Sequence, residues 1–269
     1  MALTELKPIP HSKIKPELFN PVNMPIFIKG GCKNMEALNL WKDMDYLKEK
    51  FNSADVDVEV YNNKEDFKIS KAKIRTMNFD YFLDNMDTNI YLPDCSLIEL
   101  KGGYNIHHHL FNDLENAMDV KMGLDELPTD YYLFMGKNTK SGCHIHIEED
   151  FIVNQIVGTK RFYLMDYKQL TPNFLFHKRN NFATQNFWEL DQSKYDIYYC
   201  DLEPGDMLSL PPWWWHPVKS DDLTIAVTKI YSREDMTYLN RPGFKSLKRR
   251  HWLNTKLPKA TTDFIKKWF

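Results

Sequence analysis

The sequence predicts a mainly β fold with α decoration, and three observations carry that expectation. From Tyr131 onward, short runs rich in β-branched and aromatic residues follow one another: YYLFMG, CHIHIEEDF, FIVNQIVG, KRFYLMD, DIYYCDL, DMLSLPP and LTIAVTKIY. Turn-forming residues separate these runs, and closely spaced strands of this kind build a barrel or a sandwich. The segment before residue 131 carries helical spacing as well as strand patterns, and the chain after Tyr231 becomes basic and helical again.

Element by element, Pro8, Pro10 and Pro16 mark an extended lead-in. Met24 to Lys29 reads as a short strand ending at Gly30-Gly31. Asn34 to Phe51 is read as a helix, because Leu38, Leu40, Trp41, Met44, Leu47 and Phe51 recur at helical spacing. Val56 to Tyr61 alternates like a strand. Lys71 to Asn85 is read as a helix with Ile74, Met77 and Phe82 inward, and Leu110 to Met122 as another. The plan is a helical and strand lead-in over 1–130, a barrel core over 131–231 and a helical tail over 232–269, packed as a single domain.

Composition narrows the function. With 35 basic against 37 acidic side chains, the net charge of −2 gives no general pull towards nucleic acid or a membrane surface. The cysteines Cys32, Cys95, Cys143 and Cys200 form no C-x-x-C pair, so neither a disulfide framework nor a structural zinc site is expected, and an intracellular location, cytoplasmic or nuclear, fits. The N-terminus lacks the apolar run of a signal peptide, and no stretch of about 18 apolar residues offers a membrane span. The histidine run His107-His108-His109 is expected to open a surface helix. In the tail, KSLKRRH interleaves with Phe244, Leu247, Trp252 and Leu253, which are too apolar for water and should pack on the barrel or form a homodimer interface.

One stretch carries chemistry. Residues i, i+2 and i+4 of a strand share a face, so His144, His146 and Glu148 line one side and Ile145 and Ile147 the other. Two imidazoles and a carboxylate suit a divalent metal. Alone, an H-x-H-x-E stretch is equally an exposed polar edge. A second segment shifts the balance: Glu203 to His216 reads as a turn (PGD), a strand (MLSL), a Pro-Pro corner and a histidine after three tryptophans, and His216 can meet the first segment across a barrel.

The blocks SGCHIH, NQIVGTKRFYLMD and LEPGDMLSLPPWWWHPV resemble the JmjC-type branch of the cupins, with Pro25 to Trp41 resembling its lead-in. The resemblance implies a double-stranded β-helix (jelly-roll) barrel and an iron(II)- and 2-oxoglutarate-dependent oxygenase. It assigns Lys160 and Ser141 to the far carboxylate of 2-oxoglutarate and His216 to the metal. A fixed cation with a neighbouring hydroxyl is what a buried dicarboxylate needs. The family pattern places an aspartate where this chain has His146, and three ligand sets remain open: His146, Glu148 and His216; His144, His146 and His216; or the older cupin pattern, with Asp150 as a fourth ligand. His216 is common to all. The expected reaction is hydroxylation of a protein side chain or small molecule, with nucleic acid disfavoured by the charge balance. The alternatives are a three-histidine metalloenzyme that does not use 2-oxoglutarate and a non-catalytic binding barrel.

Overall fold

The computed structural model describes residues 3–15, 24–63, 72–86, 89–101, 104–117, 130–146, 149–170, 182–183 and 186–232. The strands in chain order are β1 (Thr4–Glu5), β2 (Ile9–Pro10), β3 (Ile26–Lys29), β4 (Asp55–Val60), β5 (Lys73–Asn78), β6 (Ile90–Ser96), β7 (Ile98–Lys101) and β8 (Tyr104–His107). They continue with β9 (Asp130–Lys137), β10 (Glu149–Val157), β11 (Lys160–Asp166), β12 (Tyr198–Leu202), β13 (Met207–Leu210), β14 (Trp214–Trp215), β15 (Val218–Ser220) and β16 (Leu223–Ser232). A nine-stranded sheet runs β2-β3-β13-β10-β16-β9-β6-β4-β5. A five-stranded sheet runs β1-β12-β11-β14, with β15 also pairing β11, and β7 and β8 form a separate pair. The two larger sheets make a jelly-roll β-sandwich, and the nine-stranded one draws five of its strands from the lead-in as well as four from the core.

Two apolar layers hold this arrangement. Phe27, Phe151, Val153, Phe162, Leu164, Cys200, Leu202, Leu208, Leu210, Trp214, Ala226 and Ile230 fill the space between the sheets. On the outer face of the large sheet, Ile28, Trp41, Leu47, Phe82, Ile152, Ile156, Ile225 and Val227 belong to a second core shared with the lead-in helices. Strands buried on both faces need apolar residues at nearly every position. That is why Phe151 to Val153 of β10 and Met207 and Leu208 of β13 show no apolar-polar alternation, although Asp150, Asn154, Gln155 and Ser209 are buried polar exceptions.

The lead-in differs from the helical reading in three places. Asn34 to Phe51 forms two helices, α1 (Ala37–Leu40) and α2 (Met44–Phe51), because Asp43 is extended and its carboxylate accepts from the backbone N–H of Asp45 and Tyr46, starting a new helix. Lys71 to Asn85 is half strand: β5 pairs with β4 from Asp55↔Asn78 to Val60↔Lys73, and only then does α3 (Phe79–Asp84) begin, capped by Asn78. Cross-strand pairing overrides the helical spacing there, leaving Ile74 62% exposed instead of inward while Phe82 is fully buried. Leu110 to Met122 begins as a 3₁₀ helix, His109–Ala117, with Leu110 and Leu114 buried; residues 118–122 lie outside the described residues. So do the predicted tail beyond Ser232 and its dimer surface. Among the described residues, no helix is long and apolar enough to cross a membrane.

Two turns fix the ends of the core strands. Asp206, 2% exposed, accepts hydrogen bonds from the backbone N–H of Gly30 and Glu203 and from Lys29 Nζ, tying β3 to the turn before β13. Gly158, at φ +67, turns β10 into β11, and a Cβ there would stand 2.0 Å from the Leu223 carbonyl oxygen. Glycine is the residue that both the backbone sign and the space permit. We therefore expect Gly158→Ala to lower stability by about 2 kcal/mol or more, read as a fall in the denaturant midpoint. A midpoint within error of wild type would contradict this account.

Candidate metal centre

The ligand-bearing segment is not part of a regular strand, as the H-x-H spacing had implied; β10 begins only at Glu149. Its backbone pairs instead with the segment after β13. Ser220 N–H donates to Thr139 O (2.8 Å), Ser141 N–H to Val218 O (2.8 Å), His216 N–H to His144 O (3.0 Å) and Trp213 N–H to His146 O (2.8 Å). From the other side Ala183 N–H donates to Cys143 O (2.7 Å), and His144 bridges to Phe182. The chain reverses after the Pro-Pro corner through Trp213, whose φ of 71° is costly for a bulky residue. All three tryptophans are buried, which over-determines the turn.

This pairing brings His144, His146 and His216 together, with one nitrogen of each ring lying within 4.8 Å of the others. Ring centroids are 5.2 Å apart for His144 and His146, 4.1 Å for His144 and His216, and 5.0 Å for His146 and His216. His144 Nδ1 lies 3.0 Å from Gly142 O and His216 Nδ1 lies 2.8 Å from Trp214 O. A carbonyl only accepts, so each Nδ1 carries the proton and each Nε2 keeps its lone pair for a ligand bond. Phe151 stacks on His146 at 3.7 Å. Burial holds all three imidazoles below the ordinary histidine range, and neighbouring histidines push His146 and His216 further down. The rings are therefore neutral at neutral pH, the form that binds a metal. The donor set fits a divalent transition ion.

The carboxylates fare differently. Among the described residues none joins the cluster. Asp150, the fourth ligand of one reading, sits in β10 one residue before Phe151, and successive strand residues point to opposite faces. It is buried away from the histidines' side, which removes that reading. Glu148 lies outside the described residues.

The three histidines line a cavity of about 470 Å³ together with Lys160 and Ser141. Lys160 opens β11, opposite Leu202 on one side and Ser220 on the other, and is only 5% exposed. Its ammonium lies 5.7 Å from the Phe134 ring and 6.0 Å from the Tyr91 ring. Among the described residues it makes no ion pair, and burial pulls its pKa down to about 8. Ser141 Oγ accepts from Val218 N–H (2.9 Å), which leaves its own proton to donate into the cavity. Sequence reading missed Tyr91, Thr139, Phe182 and Thr228, which also line the cavity. It also missed Glu59 and Asp94, whose carboxyl pKa values burial raises. They come from separate elements and carry no local motif. His108 and His109 stand apart from the metal cluster.

We expect His216→Ala to abolish metal-dependent stabilisation. Wild type with Mn(II) at about a hundred times its Kd should gain about 2.7 kcal/mol by mass action, and the variant nothing. Equal stabilisation of both proteins in a melting experiment would refute the assignment.

Comparison with known proteins agrees with this architecture. A cupin-like domain model matches residues 12–237. "Lysine-specific demethylase JMJ30" of Arabidopsis thaliana is 26% identical over 231 residues, covering 78% of this chain and 50% of that protein. "Bifunctional arginine demethylase and lysyl-hydroxylase psr-1" of Caenorhabditis elegans is 25% identical over 266 residues, covering 87% of this chain and 63% of that protein. "tRNA wybutosine-synthesizing protein 5" of Mus musculus is 28% identical over 90 residues, 31% of this chain and 28% of that protein. The chain spans less than two thirds of the length of each of these relatives. With a family match running from the lead-in through the last barrel strand, the chain belongs to the cupin-like domain family.

Proposed function

We propose that this chain is an iron(II)- and 2-oxoglutarate-dependent oxygenase that hydroxylates a protein side chain or a small molecule. The observation that carries this reading is a single cavity lined by a neutral three-histidine cluster and a buried lysine without an ionic partner among the described residues. A buried ammonium is costly unless an anion meets it. The far carboxylate of 2-oxoglutarate supplies that anion, with the Ser141 hydroxyl donating to the same group. Iron(II) held by the histidines would couple dioxygen to oxidative decarboxylation of the co-substrate. Phe134, Phe151 and Phe162 wall the cavity with apolar surface, which keeps water from the reacting groups.

The relatives guide the substrate class. One is named a lysine-specific demethylase and another an arginine demethylase and lysyl-hydroxylase, which favours a protein side chain; a third is named for tRNA wybutosine synthesis. A second reading is a three-histidine metalloenzyme that works without 2-oxoglutarate, favoured by the absence of a carboxylate from the cluster among the described residues.

The direct test is succinate formation from 2-oxoglutarate by the iron-loaded protein. Lys160→Met should weaken 2-oxoglutarate binding by about tenfold to a hundredfold, the weight of a hydrogen bond to a charged group. Unchanged binding would favour the second reading. The pH dependence has a definite sign. The protonated amine is the binding form, so affinity is full below the free-protein pKa of about 8 and declines as pH rises through it. The Met variant should lack that decline.

A further inference from the structure

We infer that His146 is itself a metal ligand, so that the centre holds its ion by three neutral rings with no carboxylate in the set. The inference deepens the proposed function and rests on its reading of the cluster as a metal centre using 2-oxoglutarate. Non-haem iron oxygenase sites are generally formed by two histidines and one carboxylate, which removes one unit of the ion's charge. Here His146 converges with His144 and His216, its ring 5.0 Å from His216 and stacked at 3.7 Å on Phe151. That stacking holds the ring in the site rather than leaving it to swing out. The main chain of His146 is fixed as well, by the hydrogen bond its carbonyl accepts from Trp213. Glu149, the nearest described acid along the chain, is not part of the cluster, and Asp150 belongs to the opposite face of β10.

A neutral ligand set has two consequences of opposite sign. A dication bound by three imidazoles lacks the Coulomb attraction that a carboxylate ligand contributes, so the protein alone holds it less tightly. The same ion keeps its full charge beside the buried Lys160 ammonium in one cavity. A dianionic co-substrate then meets one more unit of positive charge than a carboxylate-bearing site presents. His146 therefore trades metal affinity for co-substrate affinity, and the two bind as mutually reinforcing partners.

The test titrates wild type, His146→Asp, His146→Glu and Glu148→Gln anaerobically, first with Mn(II) and then, metal-loaded, with 2-oxoglutarate, by calorimetry. The carboxylate variant that folds should bind Mn(II) about tenfold more tightly and 2-oxoglutarate about tenfold more weakly than wild type. Glu148→Gln should match wild type in both titrations. Loss of Mn(II) binding in Glu148→Gln, or both affinities unchanged in the His146 variants, would overturn the inference. If neither carboxylate variant folds, His146→Gln decides: a fall of about tenfold in Mn(II) affinity supports the ligand role, and no fall removes it. Wild type that binds Mn(II) but not 2-oxoglutarate would sink the co-substrate reading separately, and the Mn(II) titrations alone would then judge the ligand set.

Discussion

The site depends on one antiparallel contact between two irregular segments. Thr139 to His146 and Trp213 to Ser220 are bonded backbone to backbone at four positions, and neither segment lies within a long regular ladder. The ring spacing in the cluster follows from that register. His216 N–H donates a main-chain hydrogen bond to His144 O, so their side chains are neighbours by construction. The cost is a left-handed Trp213, and the buried indoles that surround the turn are what make such a backbone tenable.

Desolvation does the second part of the work. The same burial that lowers the proton affinity of the histidines also lowers that of Lys160. In the histidines it produces the lone pairs a metal needs. In the lysine it leaves a charge whose stabilisation waits on a ligand. On the proposed reading, one cavity thus offers both poles that a chelating dianion needs: a histidine site for an electrophilic ion at one place and a fixed ammonium at another.

Much of this was legible in the sequence, and the exceptions have physical reasons. The core strands were readable because each lies between turn residues and is rich in branched and aromatic side chains, as in β16 and β11. His216 and Lys160 were readable because each sits in a block whose turn chemistry fixes its position: Pro-Pro and tryptophans before one, Gly158 before the other. Strand β5 was hidden, because an edge strand with exposed charged residues has little alternation to show and its KIRTMN run resembles a helix face. Tyr91, Phe182 and Thr228 were hidden because they reach the cavity from three elements far apart in sequence, and no local pattern records a meeting made by the fold. The ligand set stayed open in the sequence because H-x-H-x-E places three donors on one face; the fold brings His144 and His146 to His216, and Glu148 lies outside the described residues.

The central strands of the large sheet serve two compartments at once. On β16, Ala226 and Thr228 look into the cavity while Val227 and Tyr231 belong to the core behind it; on β10, Val153 and Ile152 divide the same way. Odd and even positions are therefore under different physical constraints: one parity shapes what the pocket admits, and the other answers to the packing of the lead-in helices. An insertion within either strand is different: unless a bulge absorbs it, as one does between Gln155 and Val157 of β10, it exchanges pocket and core faces for every residue beyond it.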